Sequence, residues 1–215
     1  MSGAGYNFRM NKLFRDVEGK PACPQGSVVC IGAFDGLHRG HQALVGHVRA
    51  RAQALGLAAA ALSFEPLPRE FFAPAEPPAR LLLPRAKFEG LCRLGMDVVG
   101  LLRFNAAMAA MSAETFVERV LVHRLSAREV WVGPEFRFGH RRAGDLALLQ
   151  ALGERHGFRA AEVPVVADAG GRVSASAVRA HLAAGDLDAA AAALGRRYAI
   201  AGKVVRGKQL GRQLG

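Results

Sequence analysis

Cys30-Ile31-Gly32-Ala33-Phe34-Asp35-Gly36-Leu37-His38-Arg39-Gly40-His41 is the stretch on which the fold of this chain turns. Before it, Ser27–Ile31 is short, apolar and β-branched, which marks a buried strand. After it, residues 41–55 repeat apolar side chains at helical spacing: Leu44, Val45, Val48, Ala52 and Leu55. The glycines between strand and helix let the backbone turn sharply and approach a ligand with no Cβ in the way. The helix then directs its free N–H groups, and the positive end of its dipole, at any anion over the turn. His38 and His41 stand over that same spot. One histidine at a helix start reads as a cap or a surface residue. Two of them in His-x-Gly-His, fused to Gly-x-Phe-Asp-Gly directly after a strand, read as a phosphate site.

The alternation of strand and helix continues along the chain. Residues 57–64 form a second apolar strand behind the helix-stopping Gly56, and a proline-rich loop follows. A helix over 84–94, opened by Pro84, leads to a strand at 96–103. A helix over 113–125, capped by Ser112, leads to a strand at 128–132. A helix from Gly144-Asp145 to His156 leads to a strand at 158–163. A hairpin through Asp168-Ala169-Gly170-Gly171 precedes a helix capped within Ser174-Ala175-Ser176, and Asp186 opens a last alanine-rich helix. Strands separated by helices of about 10 to 15 residues make an α/β fold: a Rossmann-like, doubly wound, mostly parallel sheet. Ligands of such sheets bind outside the carboxyl ends of the strands, at the switch point. The unusual loops, 32–41, 65–78, 133–142 and 171–176, all follow strands, so they are expected to converge on one site.

Composition narrows the ligand. The chain carries 29 Lys and Arg against 18 Asp and Glu, a formal charge of +11. Such a balance implies an anionic partner: polyphosphate, nucleic acid or an acidic membrane. The basic residues are dispersed and few aromatics are interleaved with them, which favours small phosphorylated ligands over nucleic acid. Cys23, Cys30 and Cys92 form no Cys-x-x-Cys pair and no zinc spacing, so no metal-ligating set is expected. They read as core residues of a protein in a reducing cytoplasm. No apolar run approaches the roughly 20 residues of a membrane helix, and 1–10 is too polar for a secretory signal. Oligomeric state is not legible.

Three further motifs carry chemistry. Phe64-Glu65-Pro66-Leu67-Pro68 with Phe71-Phe72 joins stiff prolines to aromatics at a strand end. Prolines fix a loop at low entropy cost, and aromatics offer flat faces to a planar ring; the same pattern also suits a plain hydrophobic lid. Val132-Gly133-Pro134-Glu135-Phe136-Arg137-Phe138-Gly139, with Arg141, Arg142, Gly144 and Asp145, is a second aromatic loop or else a solvated basic face. Arg172-Val173-Ser174-Ala175-Ser176-Ala177-Val178-Arg179 sets two hydroxyls at a helix start between two arginines. That suits the β- and γ-phosphates of a triphosphate, or a simple N-cap.

In order and spacing these motifs resemble the adenylyltransferase module of the bacterial bifunctional riboflavin kinase/FMN adenylyltransferase (FAD synthetase) family, one of the His-x-Gly-His nucleotidyltransferases related to class I aminoacyl-tRNA synthetases. The resemblance runs through the chain from about Ser27. It implies an N-terminal extension at 1–26, an FMN adenylyltransferase domain at 27–194, and at 195–215 a linker with the first strand of a riboflavin kinase domain. The match ends before that domain's nucleotide-binding signature, so riboflavin phosphorylation is not expected of these residues alone. Ala175 stands where the family carries another hydroxyl, Glu135 where it carries Asp or Asn, and Ala33 where Asn or Val is usual.

The resemblance also implies roles. His38 and His41 would stabilise the α-phosphate as pyrophosphate leaves. Gly32, Ala33, Phe34, Asp35 and Gly40 would cradle ATP, with Arg172, Ser174, Ser176 and Arg179 on its β- and γ-phosphates and Mg²⁺ bridging them. Asp35 would orient His38, stand in an outer metal shell, or only cap the turn. Phe64, Pro66, Pro68, Phe72, Glu135 and Phe138 would form the FMN side. Two other readings stay open: a related adenylyl- or cytidylyltransferase acting on a pantetheine phosphate or nicotinate mononucleotide, and a non-catalytic basic module that binds nucleic acid.

Overall fold

A computed structural model describes residues 12–163, 167–168, 171–200, 202 and 205. Its centre is a six-stranded sheet, parallel throughout. The strands are β1 (Lys12–Phe14), β2 (Ser27–Ile31), β3 (Ala58–Glu65), β4 (Val98–Arg103), β5 (Ala127–Val132) and β6 (Arg159–Glu162), in the spatial order β1-β4-β3-β2-β5-β6. From β2 the chain steps outward to β3 and β4, returns to the far side of β2, and adds β5 and β6. The switch therefore lies between β2 and β5, where the register pairs Ile31 with Val132. The expected doubly wound architecture is what the chain adopts.

Alternation along the strands explains why both faces are covered. Val28 and Cys30 of β2 pack with Ala59, Ala61, Val99 and Leu101 on one face. Val29 and Ile31 pack with Ala60, Leu62 and Val130 on the other. Helix α1 (Arg39–Leu55) covers the first face with Leu44, Val45 and Val48, and α3 (Pro84–Arg93) covers it with Leu91. The second face is closed by Val117, Val120 and Leu121, and by Leu149 and Leu152 of α6 (Leu146–His156). Burial of each such aliphatic side chain is worth roughly 1.5–3 kcal/mol before the entropy of ordering it.

Several local expectations are met and some are refined. Ser112 Oγ accepts the Thr115 N–H at 3.1 Å, and Asp145 Oδ1 accepts that of Leu148 at 3.0 Å, so both cap helices. The helix after Ser112 begins as α5 (Ala113–Phe116) but continues as a π-helix over Val117–Arg124. The proline-rich loop contains a short helix, α2 (Pro68–Phe72), and α4 (Ala106–Ala109) follows β4. Residues 12–14, inside the stretch read as an extension, form the edge strand β1. A two-stranded hairpin, β7 (Ala167–Asp168) and β8 (Gly171–Arg172), leads into α7 (Ala175–Ala183) and α8 (Leu187–Leu194). These last helices pack through Val178, Ala193 and Leu194 onto Leu81, forming a small separate core. Most of the predicted kinase-strand segment, 203–204 and 206–215, lies outside the described residues. Among the described residues no helix is long and apolar enough to cross a membrane.

Candidate active site

The loop between β2 and α1 carries the two histidines at the switch point. His38 takes the N-cap position of α1 in extended backbone, and no side chain caps the helix. The Gln42 N–H already reaches His38 O at 3.0 Å, which leaves the first N–H groups of α1 available to an anion. Two non-glycine residues of the loop, Phe34 and Leu37, have φ of 49° and 48°. Such left-handed backbone costs energy and gathers at working sites. The Phe34 ring is buried beneath the loop, edge-on to His41 with centroids 5.2 Å apart. The His38 and His41 rings stack at 3.8 Å. A Cβ on Gly40 would lie 3.2 Å from His38 Nδ1, so glycine there lets the ring settle against the backbone.

Both imidazoles are neutral. Burial pushes His38 down to about 4. His41 falls well below its usual value, first through burial and then through its neighbours His38 and Lys87. The Nδ1 atoms of both rings are enclosed and lack a hydrogen-bond partner among the described residues. An N–H there would be stranded without an acceptor, so the less costly tautomer carries its proton on Nε2. The pair then offers its Nε2–H groups as donors.

Asp35 serves as an anchor. It is buried, and Oδ1 accepts the N–H groups of Leu81 and Leu82, both at 3.0 Å. Oδ2 pairs with Arg179 of α7. Arg179 also donates from Nε to Ala79 O at 2.6 Å. The carbonyl of Val173 stands 3.6 Å from where a Gly40 Cβ would be. The start of α7 is therefore seated beside the histidine loop, but Arg179, expected at the triphosphate, is held instead by Asp35 and Ala79 O. Ser174 caps α7 by accepting the Ala177 N–H at 3.1 Å, and Ser176 is exposed. Gln42 Nε2 donates to Leu37 O and Leu194 O at 2.8 and 2.7 Å, and Arg196 donates to Gly36 O at 2.9 Å. Nothing in the sequence pattern singled out these last contacts.

An apolar cavity of about 140 Å³ lies near the carboxyl end of β2. Of the residues expected there, Phe64, Pro68, Phe72 and Phe138 line it. Pro66 and Glu135 are exposed and lie outside its lining. Ile31, Phe104, Met108, Met111, Phe116 and Phe136 complete the wall, with Arg137, Arg141 and Arg142 beside it. Arg141 and Arg142 have φ of 52° and 59°. Phe104 follows a strand and Phe136 sits in the quoted loop, so both were within reach of the loop rule. Met108, Met111 and Phe116 enter only through tertiary packing. A larger open depression of about 680 Å³ lies at the amino ends of the strands, beside Gly26, Gly56 and Asp97, away from every motif.

Residues 20–177 match the family model described as FAD synthetase. The chain belongs to the FAD synthetase family. A bifunctional riboflavin kinase/FMN adenylyltransferase of Pseudomonas fluorescens is 45% identical over 191 residues, covering 89% of this chain and 61% of that protein. The protein of the same description from Escherichia coli K12 is 40% identical over 205 residues, covering 95% of this chain and 66% of its own length. The chain thus spans less than two thirds of these relatives. A crystal structure described as a macrolide-efflux protein from Streptococcus pneumoniae superposes with a TM-score of 0.80 at 25% identity, covering 95% of this chain and 66% of that one. The FAD synthetase match encloses the histidine loop, the aromatic wall and the start of α7.

Proposed function

We propose that this chain transfers the adenylyl group of ATP to FMN, giving FAD and pyrophosphate. The observation that carries the reading is the pairing of two sites at the carboxyl end of the sheet. Stacked neutral histidines stand over an open helix N-terminus, and a phenylalanine-lined cavity adjoins the ends of β2 and β3. Membership of the FAD synthetase family, and the activity named for its relatives, support the same assignment.

The chemistry needs positioning and charge stabilisation rather than a protein nucleophile. An oxygen of the FMN phosphate forms a bond to the α-phosphorus of ATP. The bond from that phosphorus to the bridging oxygen breaks, and pyrophosphate leaves with the electron pair. The phosphate monoester is largely ionised near pH 7, its second pKa being about 6, so no general base is required. His38 and His41 donate N–H bonds to the α-phosphate oxygens as charge builds. The first N–H groups of α1 and the backbone of 32–36 hold the triphosphate, with Ser176 and Arg172 toward its far end. Arg179 acts through Asp35 to seat α7. Phe64, Phe72 and Phe138 face the flavin ring.

We propose Mg²⁺ as the ion that accompanies the triphosphate. The described residues offer it no cage: both Asp35 oxygens are occupied, and no group of three His, Cys, Asp or Glu converges among them. No step here runs through the metal. A cytoplasmic location suits Cys23 and Cys30, which are free and buried. Riboflavin kinase activity would belong to the longer form that the relatives have.

The test is FAD formation from FMN and Mg-ATP by the purified chain and by His41→Ala. We expect FAD from the parent and a loss of roughly 10²- to 10³-fold in the variant, as when one oxyanion-type donor is removed. No FAD from the parent, or equal rates from both, would refute the assignment.

A further inference from the structure

Lys87 of α3 is a lysine that is only 1% exposed. It projects from α3 with Nζ 2.7 Å from Glu65 Oε1 and 3.4 Å from Ser63 Oγ. Ser63 in turn donates to Ala33 O at 3.0 Å, inside the histidine loop. The other oxygen of Glu65 takes Arg80 Nη1 at 2.8 Å. Arg80 continues to both oxygens of Glu70, one of which accepts the Leu67 N–H at 2.9 Å, at the start of α2. One buried ammonium is therefore the junction between the loop beneath the histidines and the loop that brings Phe64, Pro68 and Phe72 to the cavity.

Stability does not explain it. Desolvating a lysine and a glutamate costs about as much as their attraction returns, and apolar residues of the same volume would pack as well. What the pair supplies is placement, together with a fixed charge. The titratable groups acting on the His41 ring are the neutral His38 from its own loop and the Lys87 ammonium from α3. Glu65 of β3 and Arg80 stand behind Lys87.

We propose that Lys87 is a positioning residue of the nucleotide site. Its buried ammonium, held by Glu65 and Ser63, sets the two substrate loops against each other and supplies positive charge beside the His41 ring. That charge favours a bound triphosphate and adds to the burial that keeps His41 neutral. The activity readout rests on the adenylyl-transfer reading; ATP binding does not.

The experiment compares the parent chain with Lys87→Met, Lys87→Arg and Glu65→Gln. It reads the Kd for Mg-ATP and the acid limb of kcat/KM for FAD formation. In Lys87→Met we expect ATP binding to weaken by roughly 10- to 30-fold, the order for one charge acting across several ångströms of protein. Its acid limb should move up, because His41 becomes easier to protonate. Lys87→Arg keeps the charge and should restore both readouts even if turnover is lower. Glu65→Gln leaves the ammonium less compensated and should move the limb down. A Lys87→Met chain with parental ATP affinity and a parental acid limb would overturn the proposal, whatever its melting temperature. If Lys87→Met does not fold, an unmoved or raised limb in Glu65→Gln overturns it. A parent that binds ATP but makes no FAD contradicts the transfer reading alone, and the ATP affinities still decide the role of Lys87.

Discussion

The Asp35 carboxylate and the Arg179 guanidinium form an ion pair across 144 residues of sequence, tying the loop after β2 to α7. Both groups are largely buried, and Asp35 also holds the backbone of Leu81 and Leu82. Removing either partner strands the other. We expect Asp35→Ala to lose roughly 3–5 kcal/mol of stability. The double variant with Arg179→Ala should be less damaged than the sum of the singles, by roughly 0.5–3 kcal/mol. Urea midpoints of the four chains measure this directly, and strict additivity would mean that the pair does not couple the two segments.

Phe72 lines the apolar cavity although 67% of its surface is exposed. Removing it creates no hole in the main core. We expect Phe72→Ala to raise the KM for FMN by about 3- to 10-fold, the worth of one aromatic contact. The KM for ATP and the melting temperature should stay near parental. Steady-state kinetics with each substrate varied would show it.

The approach of Gly40 to the His38 ring gives a steric test. A Cβ there meets the ring at 3.2 Å, so Gly40→Ala must displace the imidazole by a few tenths of an ångström or more. Misplaced donors lose transition-state stabilisation. We expect kcat to fall by roughly 10- to 100-fold, with the KM for FMN changed less than about twofold. A variant with parental kcat would show that His38 is not held by this contact.

Much of the sheet was legible because its strands are buried on both faces and read as continuous apolar runs, such as Ser27–Ile31 and Val98–Arg103. β1 was not, since Lys12–Phe14 is a three-residue edge strand within a polar segment. The π-helix at Val117–Arg124 was read as ordinary helix, because its apolar spacing alone does not separate the two. At the site, the histidines were visible because glycines and a strand–helix junction mark them. The roles of Asp35, Arg80 and Lys87 were not, because charged side chains report nothing of the burial that gives them meaning. Pro66 and Glu135 looked equivalent to their neighbours in sequence, yet the backbone leaves both outside the cavity lining.

Acid should destabilise the free enzyme through its histidines. His38 has a folded-state value of about 4 against 6.5 for an ordinary histidine. Between those values the unfolded chain binds more protons than the folded one, so stability falls as pH drops from about 6.5 toward 4. His41, also lowered, acts in the same direction. Melting temperatures across pH 7.5 to 4.5 should decline less steeply in the His38→Gln, His41→Gln double variant than in the parent. Parallel declines would show that other groups govern the acid limit.

The acceptor is the point at which the functional reading is most exposed. Pyrophosphate release from Mg-ATP should be measured with FMN, pantetheine phosphate, nicotinate mononucleotide or a single-stranded oligonucleotide as the added partner. We expect release to depend on FMN, with FAD formed in equal amount and no turnover from the other three. Release driven equally well by another nucleotide or pantetheine acceptor, or salt-dependent binding of the oligonucleotide with no FMN-driven release, would contradict FMN adenylyl transfer.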